Sequence, residues 1–175
     1  MSAGRSSVSS VKDYCTPPEY VEAARTALGG RIDLDPCSNS AAIVGALLSW
    51  SPPADGLAAS WDARTIYVNP PYGRDQASRT TIADWLRKCA DAWRRGSSVV
   101  ALVPVATNTR HWHESVFPAA AAICFLREPR VKFFLPGGPR EGGKGAPMAC
   151  AAVYWGQATK RFRRAFAPLG FVVDL

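Results

Sequence analysis

The chain has 175 residues, 47% of them hydrophobic and 20% charged, proportions that suit one soluble domain built on a single core. No apolar run is long enough to cross a bilayer, and the first eleven residues lack the apolar stretch of a secretory signal. The net charge of +7, carried largely by 16 arginines among 21 basic residues, is compatible with a polyanionic partner without requiring one.

Residues 1–11 are Ser-rich with almost nothing to bury, which predicts a disordered tail ahead of a single domain over 12–175. Pro17 to Leu28 reads as a helix. Thr16 is placed to cap it, the prolines fall in its first turn, Glu19 and Glu22 favour its positive end, and Gly29-Gly30 stop it. Arg31 to Asp35 alternates as a strand and ends in Asp35-Pro36, followed by the small polar residues Ser38, Asn39 and Ser40 after Cys37. Residues 38–48 are expected to include a short Ala-rich helix, and Ser51 to Gly56 is a loop by its breakers.

Thr65 to Val68 is a β-branched, apolar strand that Pro70 and Pro71 end by removing backbone donors and fixing φ. Asn69 therefore lies at a strand's carboxyl end, where open α/β sheets bind ligands. Roughly 33 residues separate Asp35 from Asn69, too few for the two further strand and helix units of a full doubly wound arrangement. This half of the sheet is expected to be abbreviated.

Thr80 to Arg95 has Ile82, Trp85, Leu86, Cys89, Ala90 and Trp93 at helical spacing. Val99 to Val105 follows as a strand buried on both faces, so strand, helix and strand form a parallel unit. His111 to Val116 begins a helix that Pro118 interrupts. Ala121 to Leu126, Val131 to Leu135 and Met148 to Trp155 read as strands, the last two flanking the Gly-rich basic loop 136–147. A basic helix near Thr159 to Phe166 and a strand at Gly170 to Asp174 complete an α/β chain, expected to have a mostly parallel central sheet.

Chemistry concentrates at Asn69-Pro70-Pro71-Tyr72. The Asn69 side-chain oxygen and the Pro70 carbonyl can both accept hydrogen bonds from a planar amino group, and Tyr72 offers a ring to stack on the base carrying it. The same tetrapeptide is also an ordinary turn, and its weight comes from Asp35 at the end of the preceding strand. An acid and an amide on successive strand ends fit an S-adenosylmethionine-dependent amino methyltransferase. Cys15, Cys37, Cys89, Cys124 and Cys150 are odd in number and form no CxxC pair, which points to a reducing cytoplasm without disulfides or a zinc finger. His111 and His113 make an HxH pattern that lacks the further ligands a zinc site needs, so no metal is expected.

The ordered set Asp13-Tyr-Cys-Thr-Pro-Pro18, Ile32-Asp-Leu-Asp-Pro-Cys37, Asp55-Gly-Leu57 with Trp61, Asn69-Pro-Pro-Tyr-Gly73, Leu102-Val-Pro104 with Thr109 and Trp112, and Arg130-Val-Lys-Phe133 resembles the phage-type DNA N-6-adenine methyltransferase (Dam) family over most of the chain. The resemblance implies an abbreviated Rossmann-like methyltransferase fold and methyl transfer from S-adenosylmethionine to the N6 amino group of adenine in DNA. The adenine would be flipped out of the duplex. Asn69, Pro70, Pro71 and Tyr72 would form the catalytic clamp. Thr16, Pro17, Asp35, Pro36, Cys37 and Asp55, with Asn69, would surround the cofactor, and Trp61 would be core or a pocket wall. Thr109, Trp112, His113 and Arg130 would line the DNA side.

Arg74 and Arg79, directly after the tetrapeptide, and Arg140 and Lys144, in the Gly-rich loop, are the phosphate candidates from composition. One departure stands out: Cys37-Ser38-Asn39-Ser40 replaces the glycine-rich pattern usual after the cofactor acid of methyltransferases. Two alternatives remain open. The clamp also suits a glutamine side-chain amide of a protein substrate, and a degenerate relative would bind DNA without catalysis. No membrane partner is expected, and the oligomeric state stays open with a monomer favoured.

Overall fold

A computed structural model describes residues 14–74, 79–128, 130–136, 146 and 148–175. The tail predicted at residues 1–11 and the Gly-rich loop with Arg140 and Lys144 lie outside the described residues. In chain order the elements are α1 (Pro18–Ala27), β1 (Leu34–Asp35), β2 (Leu48–Ser49), β3 (Thr65–Val68), α2 (Ile82–Arg94), β4 (Ser98–Pro104), a π-helical turn (Trp112–Val116), β5 (Ala122–Leu126), β6 (Cys150–Trp155), α3 (Thr159–Phe166) and β7 (Gly170–Asp174).

The seven strands form one sheet in the order β2-β1-β3-β4-β6-β5-β7. Strands β2, β1, β3 and β4 pair in parallel, whereas β4 with β6, β6 with β5 and β5 with β7 are antiparallel. The sheet is thus mixed, correcting the mostly parallel sheet expected from sequence. A parallel neighbour needs a crossover that carries the chain back to the opposite edge. None occurs among the described residues between β5 and β6, so the chain re-enters at the edge where β5 left it and β6 slots in antiparallel.

Period-two alternation explains why both sheet faces are covered. Ile66, Val68, Val99, Ala101, Val103, Val153 and Trp155 meet Trp85, Leu86, Cys89, Trp112 and Val116 on the α2 side. Tyr67, Val100, Ala152 and Tyr154 meet Val21, Ala24, Phe162 and Phe166 on the α1 and α3 side. The result is a helix, sheet and helix sandwich. Thr81 and Asp84 start α2 as a capping box, with the Thr81 N–H donating to Asp84 Oδ2 at 2.8 Å. No described helix is long and apolar enough to cross a membrane.

Three local expectations are corrected. Residues 38–48 form turns instead of an Ala-rich helix, because Ala42 and Gly45 take left-handed φ of 46° and 62°. The segment then leads into β2, whose Leu48 N–H donates to the Asp33 carbonyl at 2.9 Å. Val131 to Leu135 is not a strand; it meets the chain start through one antiparallel bridge, Cys15 with Phe134, whose N–H···O distances are 2.7 and 3.2 Å. Finally, Pro17 and not Thr16 is the N-cap of α1, which has no side-chain cap.

Candidate active site

Strands β1, β3, β4 and β5 run the same way, so their carboxyl ends share one edge of the sheet, joined there by the start of β6 at Cys150. Asn69 follows Val68, the last β3 residue paired with β4. Its side-chain Nδ2 donates to Thr16 Oγ1 at 3.0 Å. With Nδ2 engaged, Oδ1 is the Asn69 atom left to accept from a ligand among the described residues.

Thr16 Oγ1 also receives the Tyr67 hydroxyl at 3.2 Å. Thr16 and Tyr67 are both buried. Burial raises the Tyr67 phenol above its ordinary range, so it keeps its proton. A buried tyrosine on a strand needs a hydroxyl partner, and here the partner is supplied by the segment just before α1. Asn39 Nδ2 donates to the Tyr14 carbonyl at 3.1 Å, tying the same segment to the loop after β1.

Tyr72 is half-buried. Its hydroxyl faces the Leu102 carbonyl at 3.4 Å, the Cys150 thiol lies 3.8 Å away, and its ring stands edge-on to Phe133 with centroids 5.9 Å apart. Burial, reinforced by Cys150, pushes the phenol well above its usual range. Tyr72 therefore keeps its proton. Pro70 is buried and Pro71 exposed.

Asp35 is 2% exposed. Burial raises its carboxyl to about 6, against hydrogen bonds from the Cys37 N–H, at 3.1 Å from Oδ1, and from Ser38, which favour the ionised form. Among the described residues no cationic side chain offsets this shift. Gly56 is packed so closely on the next residue that an added Cβ would lie 1.7 Å from the Pro36 carbonyl oxygen. The Asp55-Gly56-Leu57 segment is thus laid directly on the Asp35-Pro36-Cys37 turn.

Asp55 itself is exposed, and its Oδ1 accepts from the N–H groups of Leu57 at 2.9 Å and Ala58 at 3.2 Å, a turn-capping arrangement. Trp61 is core: its Nε1–H donates to the Gly56 carbonyl at 2.8 Å and its ring leans on Trp85. Lys88 sits over the Trp61 ring and donates to the carbonyls of Leu57 and Ala59, fastening this loop from the α2 side.

The structure thus gathers Thr16, Pro17, Asp35, Pro36, Cys37 and Asn69 to Tyr72 at one strand edge. The DNA-side candidates are more dispersed. Arg74, Arg79, His113 and Arg130 are exposed, and the Thr109 hydroxyl is occupied by the Ala106 carbonyl at 2.6 Å and His111 Nε2 at 3.1 Å. Trp112 corrects the sequence reading: it is fully enclosed in the core against Phe117, with no surface left for DNA. Arg140 and Lys144 lie outside the described residues.

Sequence reasoning missed Tyr67, Ser38 and Cys150 as parts of the site. Tyr67 carried a signal, since a tyrosine between Ile66 and Val68 must hide a polar hydroxyl; Ser38 was visible only as one of the small polar residues after Asp35-Pro36, and Cys150 carried no signal.

Two open surface depressions lie elsewhere. A cleft of about 350 Å³ lined by Leu28, Gly96, Ser98, Gln157 and Arg161 opens at the opposite sheet edge, and one of about 390 Å³ lined by Leu57, Asp84 and Lys88 lies beside α2. Neither holds the strand-end residues. The hydrogen-bonded convergence of side chains, not cavity volume, marks the site.

The model of the family described as DNA N-6-adenine-methyltransferase (Dam) matches residues 5–166, nearly the whole chain. No curated protein and no solved structure is a match.

Proposed function

The chain belongs to the DNA N-6-adenine-methyltransferase (Dam) family, and on that premise we propose that it methylates the N6 amino group of an adenine flipped out of DNA, using S-adenosylmethionine. The observation that carries this reading is the Asn69 amide at the carboxyl end of β3, with Nδ2 spent on Thr16 and Oδ1 free to accept.

The residues present suit the cofactor. Asp35 is a carboxyl in a desolvated place with no cation beside it among the described residues, a cost that a cationic ligand offsets. When bound, S-adenosylmethionine supplies an electrophilic methyl carbon and positive charge. Asp35, Pro36 and Cys37, with Pro17 and the Asp55 loop pressed on Pro36, form the walls assigned to it.

Asn69 Oδ1 and the Pro70 carbonyl accept the two hydrogens of the adenine amine. This draws lone-pair density out of conjugation with the ring and aims it across the site. Tyr72, neutral and held edge-on by Phe133, offers its ring to the base. Taking the base out of the stack costs a few kcal/mol, offset by this stacking and by phosphate contacts from Arg74, Arg79, Arg130, Arg140 and Lys144. Thr109 and His113 border the DNA side.

The test is incubation with isotopically labelled S-adenosylmethionine and adenine-containing DNA, followed by nucleoside analysis. N6-methyladenine formed by the native protein and absent with Asn69→Ala is the expected result. Label in glutamine of protein substrates, with none in DNA, overturns the reading.

A further inference from the structure

An asparagine amide has two nearly isosteric ends with opposite chemistry. A half-turn about χ2 exchanges an acceptor for a donor. Facing an amino group, only the oxygen end helps; the nitrogen end sets donor against donor. A clamp built on Asn69 therefore needs something to hold the amide with its oxygen toward the ligand. Two contacts bear on this: Nδ2 lies 3.0 Å from Thr16 Oγ1, and the Tyr67 hydroxyl lies 3.2 Å from the same oxygen. Thr16 is 3% exposed, so water does not compete for its hydroxyl.

We propose that Thr16 is a positioning residue for the amino group of the substrate, acting through Asn69. It does not act as a ligand of the methyl donor. The Thr16 oxygen accepts from Asn69 and Tyr67, which uses both of its lone pairs and fixes the plane of the amide. The first α1-side residue thus belongs functionally to β3. This inference rests on the reading of Asn69 as the amine clamp, but the contact itself is measurable without catalysis.

Thr16→Val keeps the shape and removes the hydroxyl; Thr16→Ser keeps the hydroxyl. Thr16→Val is expected to lower kcat about tenfold or more, with S-adenosylmethionine affinity by calorimetry and KM for DNA within about twofold. Thr16→Ser is expected to restore most of kcat. In parallel, the Asn69 side-chain amide protons of ¹⁵N-labelled protein should exchange with solvent at least about tenfold slower than a free asparagine amide. That protection should be lost in Thr16→Val and kept in Thr16→Ser.

A loss confined to donor affinity, or a kcat unchanged in Thr16→Val, overturns the proposal. So does an Asn69 amide unprotected in the native protein, a measurement that holds even if Thr16→Val does not fold. Native protein that shows the protection but methylates no DNA keeps the Thr16 contact and refutes the functional reading instead.

Discussion

Gly56→Ala tests whether the loop after β2 and the turn after β1 form one surface. The Cβ it introduces would sit 1.7 Å from the Pro36 carbonyl oxygen and 2.8 Å from the carbonyl carbon. Both atoms are backbone, so no rotamer change relieves the clash, and one segment must move by roughly 1.5 Å to reach ordinary contact. The 51–57 side resists, because Trp61 Nε1 holds the Gly56 carbonyl and Lys88 holds those of Leu57 and Ala59. Overpacking of this kind costs about 1–3 kcal/mol, and the backbone contact argues for the upper part of that range. In a chain of this size each kcal/mol lowers Tm by about 2–4 °C, so a fall of roughly 4–12 °C is expected. Because Pro36 separates Asp35 from Cys37, the folded variant should also bind S-adenosylmethionine about tenfold more weakly, equivalent to ~1.4 kcal/mol. Urea denaturation and calorimetric titration measure the two effects. Stability within about 0.5 kcal/mol of the native protein, with donor affinity unchanged, would refute the packing argument.

Asn69→Ala should cut kcat by on the order of a hundredfold or more while sparing donor affinity, as single-turnover kinetics and calorimetry can check. Asp35→Asn tests a linkage. The folded pKa of about 6 lies above the ordinary 3.8, so the stability this group contributes is present below about pH 4 and lost as pH rises through 6, a difference of roughly 3 kcal/mol. The variant should be more stable than the native protein at pH 7, equal to it near pH 3.5, and weaker in donor binding; parallel stability curves between pH 4 and 7 would contradict the burial argument. Neutralising Arg74, Arg79, Arg140 and Lys144 should weaken binding alike for all DNA sequences and flatten the log-log salt dependence by about one per lost phosphate contact. An unchanged slope in the quadruple variant would move the DNA path elsewhere.

Most of the elements were legible because their signals are local. The β-branched run ending in two prolines gave β3 its observed bounds, and helical spacing over Thr80 to Arg95 gave α2. The failures are tertiary. Strand β2 is two exposed residues whose identity as a strand comes from the free edge of β1, not from their own propensity. The direction of β6 depends on where the chain re-enters the sheet. In the site, Asn69 and Asp35 were visible as residue types at strand ends. Thr16 was visible as a cap and, through the resemblance, as a cofactor neighbour, but its bonds to Tyr67 and Asn69 were not, because these partners lie 51 and 53 positions away. Trp112 was placed on the DNA side by the family resemblance alone, and its burial puts it in the core.

The bridge between Cys15 and Phe134 ties the two ends of the site's sequence together, and it bears on when the site comes into being. Asn69 reaches back 53 positions to Thr16, and Tyr72 reaches forward 78 to Cys150. Each contact closes a long loop whose entropy must be met before the contact rewards it. A growing or refolding chain can therefore form α2, β3 and β4 from near neighbours and still lack the proposed amine clamp. On that proposal, recognition competence arrives only when the 14–17 segment docks, and partly folded chains that hold the sheet would not methylate.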